Sequence, residues 1–231
     1  MYRKVYIVGD NHGKYAVMFR LIEAYGIKDC ILIHVGDGGE GFVPRDKQLE
    51  QFNEYNDYLK SKDIEYLSIR GNHSDPAYFD GSVDLSHFKL LPDYHTQIIN
   101  DEKFLFVGGA ISIDRKIRRE GFSYWKDEPF VLNKSKIEEC DVLITHSVPS
   151  WLGPTDKQPF YHWLKDDPTL WDECLQERYD HDILFKLARP KKSYAGHFHN
   201  HFSTDFNGCR ARILAELEFL EHSKEQRYNK A

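Results

Sequence analysis

The chain has 231 residues, 41% hydrophobic and 14% aromatic, with a formal charge of -6, which is material for one sizeable core and excludes a disordered or collagen-like chain. Acidic and basic residues are interspersed and the pI is about 6.1, so no basic stripe marks nucleic acid or an anionic membrane as the main partner. Cys30, Cys140, Cys174 and Cys209 form no CxxC pair, no apolar run nears the roughly 18 residues of a membrane span, and the opening MYRKVYIVGD has no signal pattern, so the expectation is free thiols in a cytoplasmic protein.

Residues 5–8 predict a first strand, ending in GDNHG. Val17, Met18, Leu21 and Ile22 then recur at helical spacing over 14–25, with Gly26 to stop the helix. The apolar run 31–35 is a second strand, followed by GDGGEG. A polar helix over 46–59 turns Leu49, Phe52, Tyr55 and Leu59 inward, and 65–69 is a third strand ending in GNHSD. This βαβαβ opening, with near-continuously apolar strands, predicts a parallel sheet covered by helices.

The pattern then changes. Residues 75–93 read as turn-rich, and 94–100 with 103–107 as an antiparallel pair joined at Asn100 and Asp101. Residues 108–129 follow neither period and read as a functional loop, with a short helix around 115–119. A short helix is expected at 133–140, a strand at 142–145 ending in THS, and irregular chain over 147–168. A longer helix follows at 169–188, with Leu170, Cys174, Leu175, Ile183, Leu184 and Leu187 on its apolar positions. Late strands are expected at 193–195, 200–205 and 210–219, forming a second sheet in the same domain. The domain is thus placed at 1–220, with a polar tail at 221–231.

Asp10 and His12, Asp37, Asn72 and His73, His146, and His197 with His199 all stand just after predicted strands. Open α/β sheets place ligands at those strand ends. Carboxylate oxygen with imidazole nitrogen suits Mn, Fe, Zn or Co, and the two oxygens of Asp37 can serve two ions. Taken singly each piece is ordinary: Asp10 can cap a helix and Gly-Asn is a common turn. Together they read as one metal centre gathered from distant parts of the chain.

The series GDNHG, GDGGEG, GNHSD, THS and GHFH resembles the five-part signature of the calcineurin-like metallophosphoesterases, in that family's order and across Gly9 to His199. The resemblance implies an α/β fold, a four-layer α/β/β/α sandwich of two mixed sheets with helices outside, and a two-metal centre that hydrolyses phosphate monoesters or diesters. It assigns Asp10, His12 and His199 to one ion, Asn72, His146 and His197 to the other, and Asp37 to the bridge. Manganese or iron is the first choice, divalent or mixed-valence, with zinc, nickel or cobalt as alternatives. His73 becomes the histidine that contacts phosphate or protonates the leaving oxygen, a role suited to a ring titrating near neutrality.

Two departures separate the chain from the serine/threonine protein phosphatase branch, which resembles GDxVDRG and GNHE. Glu40, Gly41 and Ser74 occupy those places, and the branch's phosphate-binding arginine is absent. Arg115, Arg118 and Arg119 are the compensating candidates, with Arg115 or Arg118 expected at the site as a planar clamp on phosphate; the bland alternative is a solvated charged face. Protein phosphatase activity and a non-catalytic protein-binding scaffold are the rival readings, and retention of His12 and His73 speaks against the scaffold. A small phosphoester is the expected partner, with no membrane and no nucleic-acid surface, and a protein partner stays open. His34 is expected to be a packed histidine, and His201 to have no role. Trp151, Phe160, Tyr161 and Trp163 are either a hydrophobic cluster or the wall of a pocket for a base or aryl group.

Overall fold

The computed structural model describes residues 2–153 and 160–223. The opening elements follow the sequence pattern: β1 (Lys4–Val8), α1 (Tyr15–Ala24), β2 (Cys30–His34), α2 (Arg45–Ser61) and β3 (Ile64–Ser68). Every residue of β2 is buried, as befits a central parallel strand covered on both faces. Tyr15, Met18 and Ile22 form the buried stripe of α1. In α2 the buried face is Gln48, Phe52 and Leu59, whereas Leu49, expected inside, is 40% exposed.

A strand absent from the sequence reading, β4 (Phe88–Leu90), pairs in parallel with β3. Three residues are too few to show a period. The next strands are β5 (His95–Ile99) and β6 (Glu102–Val107), antiparallel as expected, with Asn100 and Asp101 both at positive φ in the turn. They precede β7 (Val142–Thr145), α3 (Leu170–Ala188) and β8 (Lys192–Ala195). The helix expected around 115–119 is instead a series of turns, and that at 133–140 is one 3-10 turn at Lys134–Lys136.

The strand expected over 210–219 is two strands in different sheets. After β9 (Phe202–Phe206), β10 (Cys209–Ile213) pairs with β8 and β9, and the chain crosses over to β11 (Phe219–His222), antiparallel to β1. Glu221 and His222, placed in the tail by sequence, are therefore sheet residues opposite Tyr6 and Val5; residues 224–231 of that tail lie outside the described residues.

The sheets run β11-β1-β2-β3-β4 and β5-β6-β7-β8-β10-β9, and each mixes parallel with antiparallel pairs. Three apolar clusters separate the four layers. The first packs Met18 and Ile22 of α1 and Phe52 and Leu59 of α2 on one face of the first sheet. The second, with Ile7, Ile33, Leu67, Phe104 and Ile144, lies between the sheets. The third packs Leu184, Phe185 and Ala188 of α3 against Leu105, Leu143 and Ala211. This is the expected α/β/β/α sandwich, and the carboxyl ends of β1, β2, β3, β7 and β8 meet at one edge.

Candidate metal centre

Loops leaving those strands bring the sequence-predicted residues together. His12, Asp37, His197 and His199 all lie at φ between 48 and 67°, backbone that costs about 1–3 kcal/mol each for such residues and gathers at functional sites. Close approach also demands two glycines. A Cβ at Gly71 would lie 2.0 Å from Asp37 Oδ1, and one at Gly196 would lie 2.0 Å from Asp10 Oδ1. The β10–β11 crossover seats the first motif, since Leu217 N–H donates to Asp10 O (3.0 Å) and Gly9 N–H to Glu218 O (3.0 Å).

Donor atoms of Asp10, His12, Asp37 and His199 all lie within 4.8 Å of one another. His199 Nε2 is 3.2 Å from Asp10 Oδ2 and 2.9 Å from His12 Nε2. On the other side of Asp37, His146 Nε2 lies 3.2 Å from Asp37 Oδ1 and 3.1 Å from Asn72 Oδ1. His197 Nδ1 lies 2.9 Å from the same Asn72 oxygen. Asp37 Oδ2 faces His12 Nδ1 at 3.9 Å. The two oxygens of one carboxylate thus face two groups of donors.

The electrostatics call for a cation. Asp10 and Asp37 are buried, and buried carboxylates are costly unless compensated. Burial pushes Asp37 upward, but the charge and hydrogen bond of His146, with His73 and His12, hold its pKa well below the usual range. Burial likewise lowers His146, yet Asp37 and Asp10 outweigh it and raise its pKa to about 9. Burial with His146 nearby lowers His197 to about 3. Asp10 Oδ1 is buried without a hydrogen-bond partner, and His146 Nδ1 sits 2.8 Å from Val35 O, which accepts its N–H, so Nε2 is the nitrogen that would give up its proton to offer a cation a lone pair. A metal fits this donor set: the unpartnered oxygen, the imidazole lone pairs and the Asn72 carbonyl converge without a thiolate.

Residues that no motif announced orient the ligands. Asn72 Nδ2 donates to Ser112 Oγ (3.0 Å), which turns the Asn72 oxygen toward His146 and His197. Ser112 N–H in turn donates to Glu128 Oε1 (2.9 Å). Arg70 ties down the base of the 108–130 excursion through the carbonyls of Asp127, Glu128 and Pro129 and the carboxylate of Asp93. Short polar contacts between distant segments leave no mark in a sequence pattern.

The two arginines have different fates. Arg118 places its NH1 and NH2 atoms 2.6 and 2.7 Å from the ring nitrogens of His73 and donates from Nε to Asp114 Oδ1 (2.5 Å). Arg115, expected as an equal candidate, is not brought to the centre. Its guanidinium is held by Asp167 (2.5 and 3.1 Å) and Glu173 (2.6 Å), because α3 and the turn before it present carboxylates there. His73 also departs from expectation. Burial, reinforced by Arg118 and opposed by Asp37, lowers its pKa to about 4 rather than leaving it near neutrality. Its backbone N–H donates to Asp37 Oδ1 (2.7 Å).

Glu40 and Ser74, the two departures from the protein phosphatase pattern, meet each other. Ser74 Oγ donates to Glu40 Oε2 (2.7 Å) and Tyr15 OH to Glu40 Oε1 (2.8 Å), all buried. His34 is a packed histidine 3.0 Å from Ser68 Oγ, and His201 contacts Glu218 and Arg212 away from the centre. Of the aromatic group, Phe160 and Trp163 line a cavity of about 400 Å³ beside the ligands. Trp151 instead stacks on Phe206, and Tyr161 is 64% exposed.

A two-sheet sandwich carrying an Asp/His/Asn donor set at its strand ends is the build of a metal-dependent hydrolase. The model of the calcineurin-like phosphoesterase family matches residues 3–201, and the chain belongs to that family of metal-dependent phosphoester hydrolases. Among solved structures, TT1561 of Thermus thermophilus superposes with a TM-score of 0.58 at 10% identity, over 94% of this chain and 91% of that one; it bears on the fold alone. Phosphopantetheinyl hydrolase from Mycobacterium tuberculosis superposes less closely (TM-score 0.47, 15% identity, 92% of this chain and 89% of that one). A predicted phosphoesterase from Streptococcus pneumoniae superposes less closely still (TM-score 0.36, 12% identity, 93% of this chain and 72% of that one). No curated protein is significantly similar in sequence. No helix among the described residues is long and apolar enough to cross a membrane.

Proposed function

We propose that the protein hydrolyses small phosphate mono- or diesters at a binuclear centre. The observation that carries this reading is Asp37, whose Oδ1 faces His146 and whose Oδ2 faces His12. Asp10, His12 and His199 would hold one ion, Asn72, His146 and His197 the other, with Asp37 shared. Divalent or mixed-valence ions, manganese or iron first, supply Lewis acidity when bound, acidifying water and drawing charge from phosphoryl oxygens.

The chain's own residues position the ester. Arg118 presents a planar guanidinium beside His73, suited to phosphoryl oxygens. His73 contacts the phosphoryl group or its leaving oxygen and holds no metal. Arg115 has no substrate contact in this reading, and its place is in the frame. Ser112 keeps the Asn72 oxygen aimed inward. Protein phosphatase activity is disfavoured by the buried Glu40–Ser74 pair, which stands where that branch presents other side chains.

The test is hydrolysis of p-nitrophenyl phosphate and its bis-aryl diester by protein stripped of metal and reloaded with Mn²⁺. Turnover of either supports the reading, and their ratio separates monoesterase from diesterase. Absence of turnover across a broad ester panel, with two ions bound per chain, would overturn it.

A further inference from the structure

The cavity beside the ligands is larger than a phosphate requires. It opens onto Asp37, Asn72, His73, His197 and His199 at one end and extends away between aromatic walls. Its volume of about 400 Å³ lies in the range of small-molecule sites, roughly 300–1,000 Å³. The walls come from separate parts of the chain. Ile113 belongs to the excursion that carries Arg118, and Phe160 and Trp163 to the turns before α3. Trp171 and Leu175 are on α3, and Phe198 stands between the two histidines of the last motif. Phe160 packs on Trp171 edge to face, centroids 4.9 Å apart at 77°.

The charged groups at this cavity are engaged by the protein itself. Arg118 is bound to Asp114 and His73, and Arg178 donates to the carbonyls of Pro149, Ser150 and Leu152. Glu177 accepts from the backbone N–H groups of Ile111 (3.4 Å) and Phe130 (3.2 Å). What faces an incoming ligand is therefore mostly ring and aliphatic carbon. A hydrophobic cluster serving the fold alone would close on itself, whereas this one encloses space continuous with the metal ligands.

We propose that this cavity is a leaving-group pocket for a flat ring, aryl or nucleobase, so that the substrates are ring-bearing phosphoesters rather than sugar phosphates or alkyl phosphates. The inference rests on the hydrolase reading for the reaction, but not for the binding. In that reaction a water oxygen bonds to phosphorus and the bond from phosphorus to the ring-bearing alcohol breaks. The alcohol oxygen departs with a proton, and the ring remains between Trp163, Trp171 and Phe198 until release.

Two measurements test it. The first is calorimetric binding of the ring alcohols adenosine and 2-phenylethanol, with hexanol as the chain control, to Mn²⁺-loaded protein. Wild type should bind at least one ring alcohol saturably and more tightly than hexanol. Trp163→Ala should weaken that binding roughly 5- to 150-fold, the range for loss of one stacking side chain. Leu175→Trp, which fills the cavity from α3, should weaken it as well, giving a second reading should the first variant fold poorly. Adenosine binding alone identifies a nucleobase pocket, and 2-phenylethanol binding an aryl pocket.

The second measurement compares kcat/KM for adenosine 5′-monophosphate with ribose 5-phosphate, and for 2-phenylethyl phosphate with ethyl phosphate. Each pair shares a primary alkyl leaving oxygen, so the ring is the difference. A ring preference of at least 10-fold that Trp163→Ala abolishes supports the pocket. Equal rates within both pairs, or hexanol binding as tightly as the rings, overturn it while leaving the hydrolase reading intact. Ring alcohols that bind while no ester is cleaved sink the hydrolase reading and leave the pocket standing.

Discussion

Glu177 offers the most quantitative prediction, because it holds the functional excursion to α3 and yet is buried as a carboxyl. It is 7% exposed, and its partners include two backbone N–H groups, one at each end of that excursion. Burial raises its pKa from 4.5 to about 7, against the opposing hydrogen bonds from Phe130, Ile111 and Ser147. A carboxyl with a raised folded-state pKa binds more protons folded than unfolded. Its stabilising contribution is fully present below 4.5 and is lost as pH rises through about 7. At about 1.36 kcal/mol per pH unit, that shift corresponds to about 3 kcal/mol. Glu128, at the same excursion, is also raised to about 7, chiefly by burial, so wild type carries two such contributions. Glu177→Gln keeps an oxygen for one of the two N–H groups, leaves the other facing an amide nitrogen, and removes the ionisation. Urea unfolding of Mn²⁺-loaded protein from pH 5 to 8.5 should show wild type losing stability up to about pH 7 and levelling off above it. The Gln variant should lose about 3 kcal/mol less, so that the two curves converge or cross with rising pH. Parallel curves for the two proteins would refute the reasoning, since they would mean Glu177 titrates no differently in the fold.

Five further substitutions follow from the same geometry. Asp37→Asn should lower metal occupancy and activity together, whereas His73→Ala should keep near two ions per chain by elemental analysis while kcat falls roughly 10²–10⁴-fold. A larger loss on alkyl than on aryl esters marks His73 as the acid, and equal losses mark it as a phosphate contact. Arg118→Ala should cut kcat/KM by a factor of ten or more with little change in Tm. Arg115→Ala should do the reverse, lowering unfolding stability by about 1–3 kcal/mol as the nearly buried Asp167 loses its partner; a kinetic defect without lost stability would contradict that assignment. Ser112→Ala should weaken binding of one ion about 10- to 100-fold, read by metal titration, because the Asn72 amide is then free to turn.

Strand-end chemistry was legible because it is local. An apolar run such as 31–35 with glycines after it dictates strand then turn wherever it sits, and so puts Asp37 at a sheet edge. The same logic located Asp10, His12, Asn72, His146, His197 and His199, and the structure gathers all of them. The βαβαβ opening was equally clear, since helix and strand periods alternate there without interruption. Short or broken periods failed: β4 was too brief, and 115–119 had helix-compatible residues but no apolar stripe to bury.

Tertiary structure decided what depends on partners far away in the chain. Arg115 and Arg118 are both exposed-looking basic residues in one charged run, and only the positions of Asp167, Glu173 and His73 send one into the frame and the other to the site. The continuous-looking strand at 210–219 stops at Ile213 because residues 214–218 cross to the other sheet, where Leu217 seats Asp10 and β11 pairs with β1. The ionisation of His73 is set by burial and by a guanidinium 45 residues along the chain. Glu177, Arg178 and His181 lie inside α3's packing although helix periodicity reads them as polar, because the excursion and the 147–152 segment cover that face. Hydrophobic pattern alone determines which residues turn inward along one element; which charges end up facing each other is determined when the elements pack.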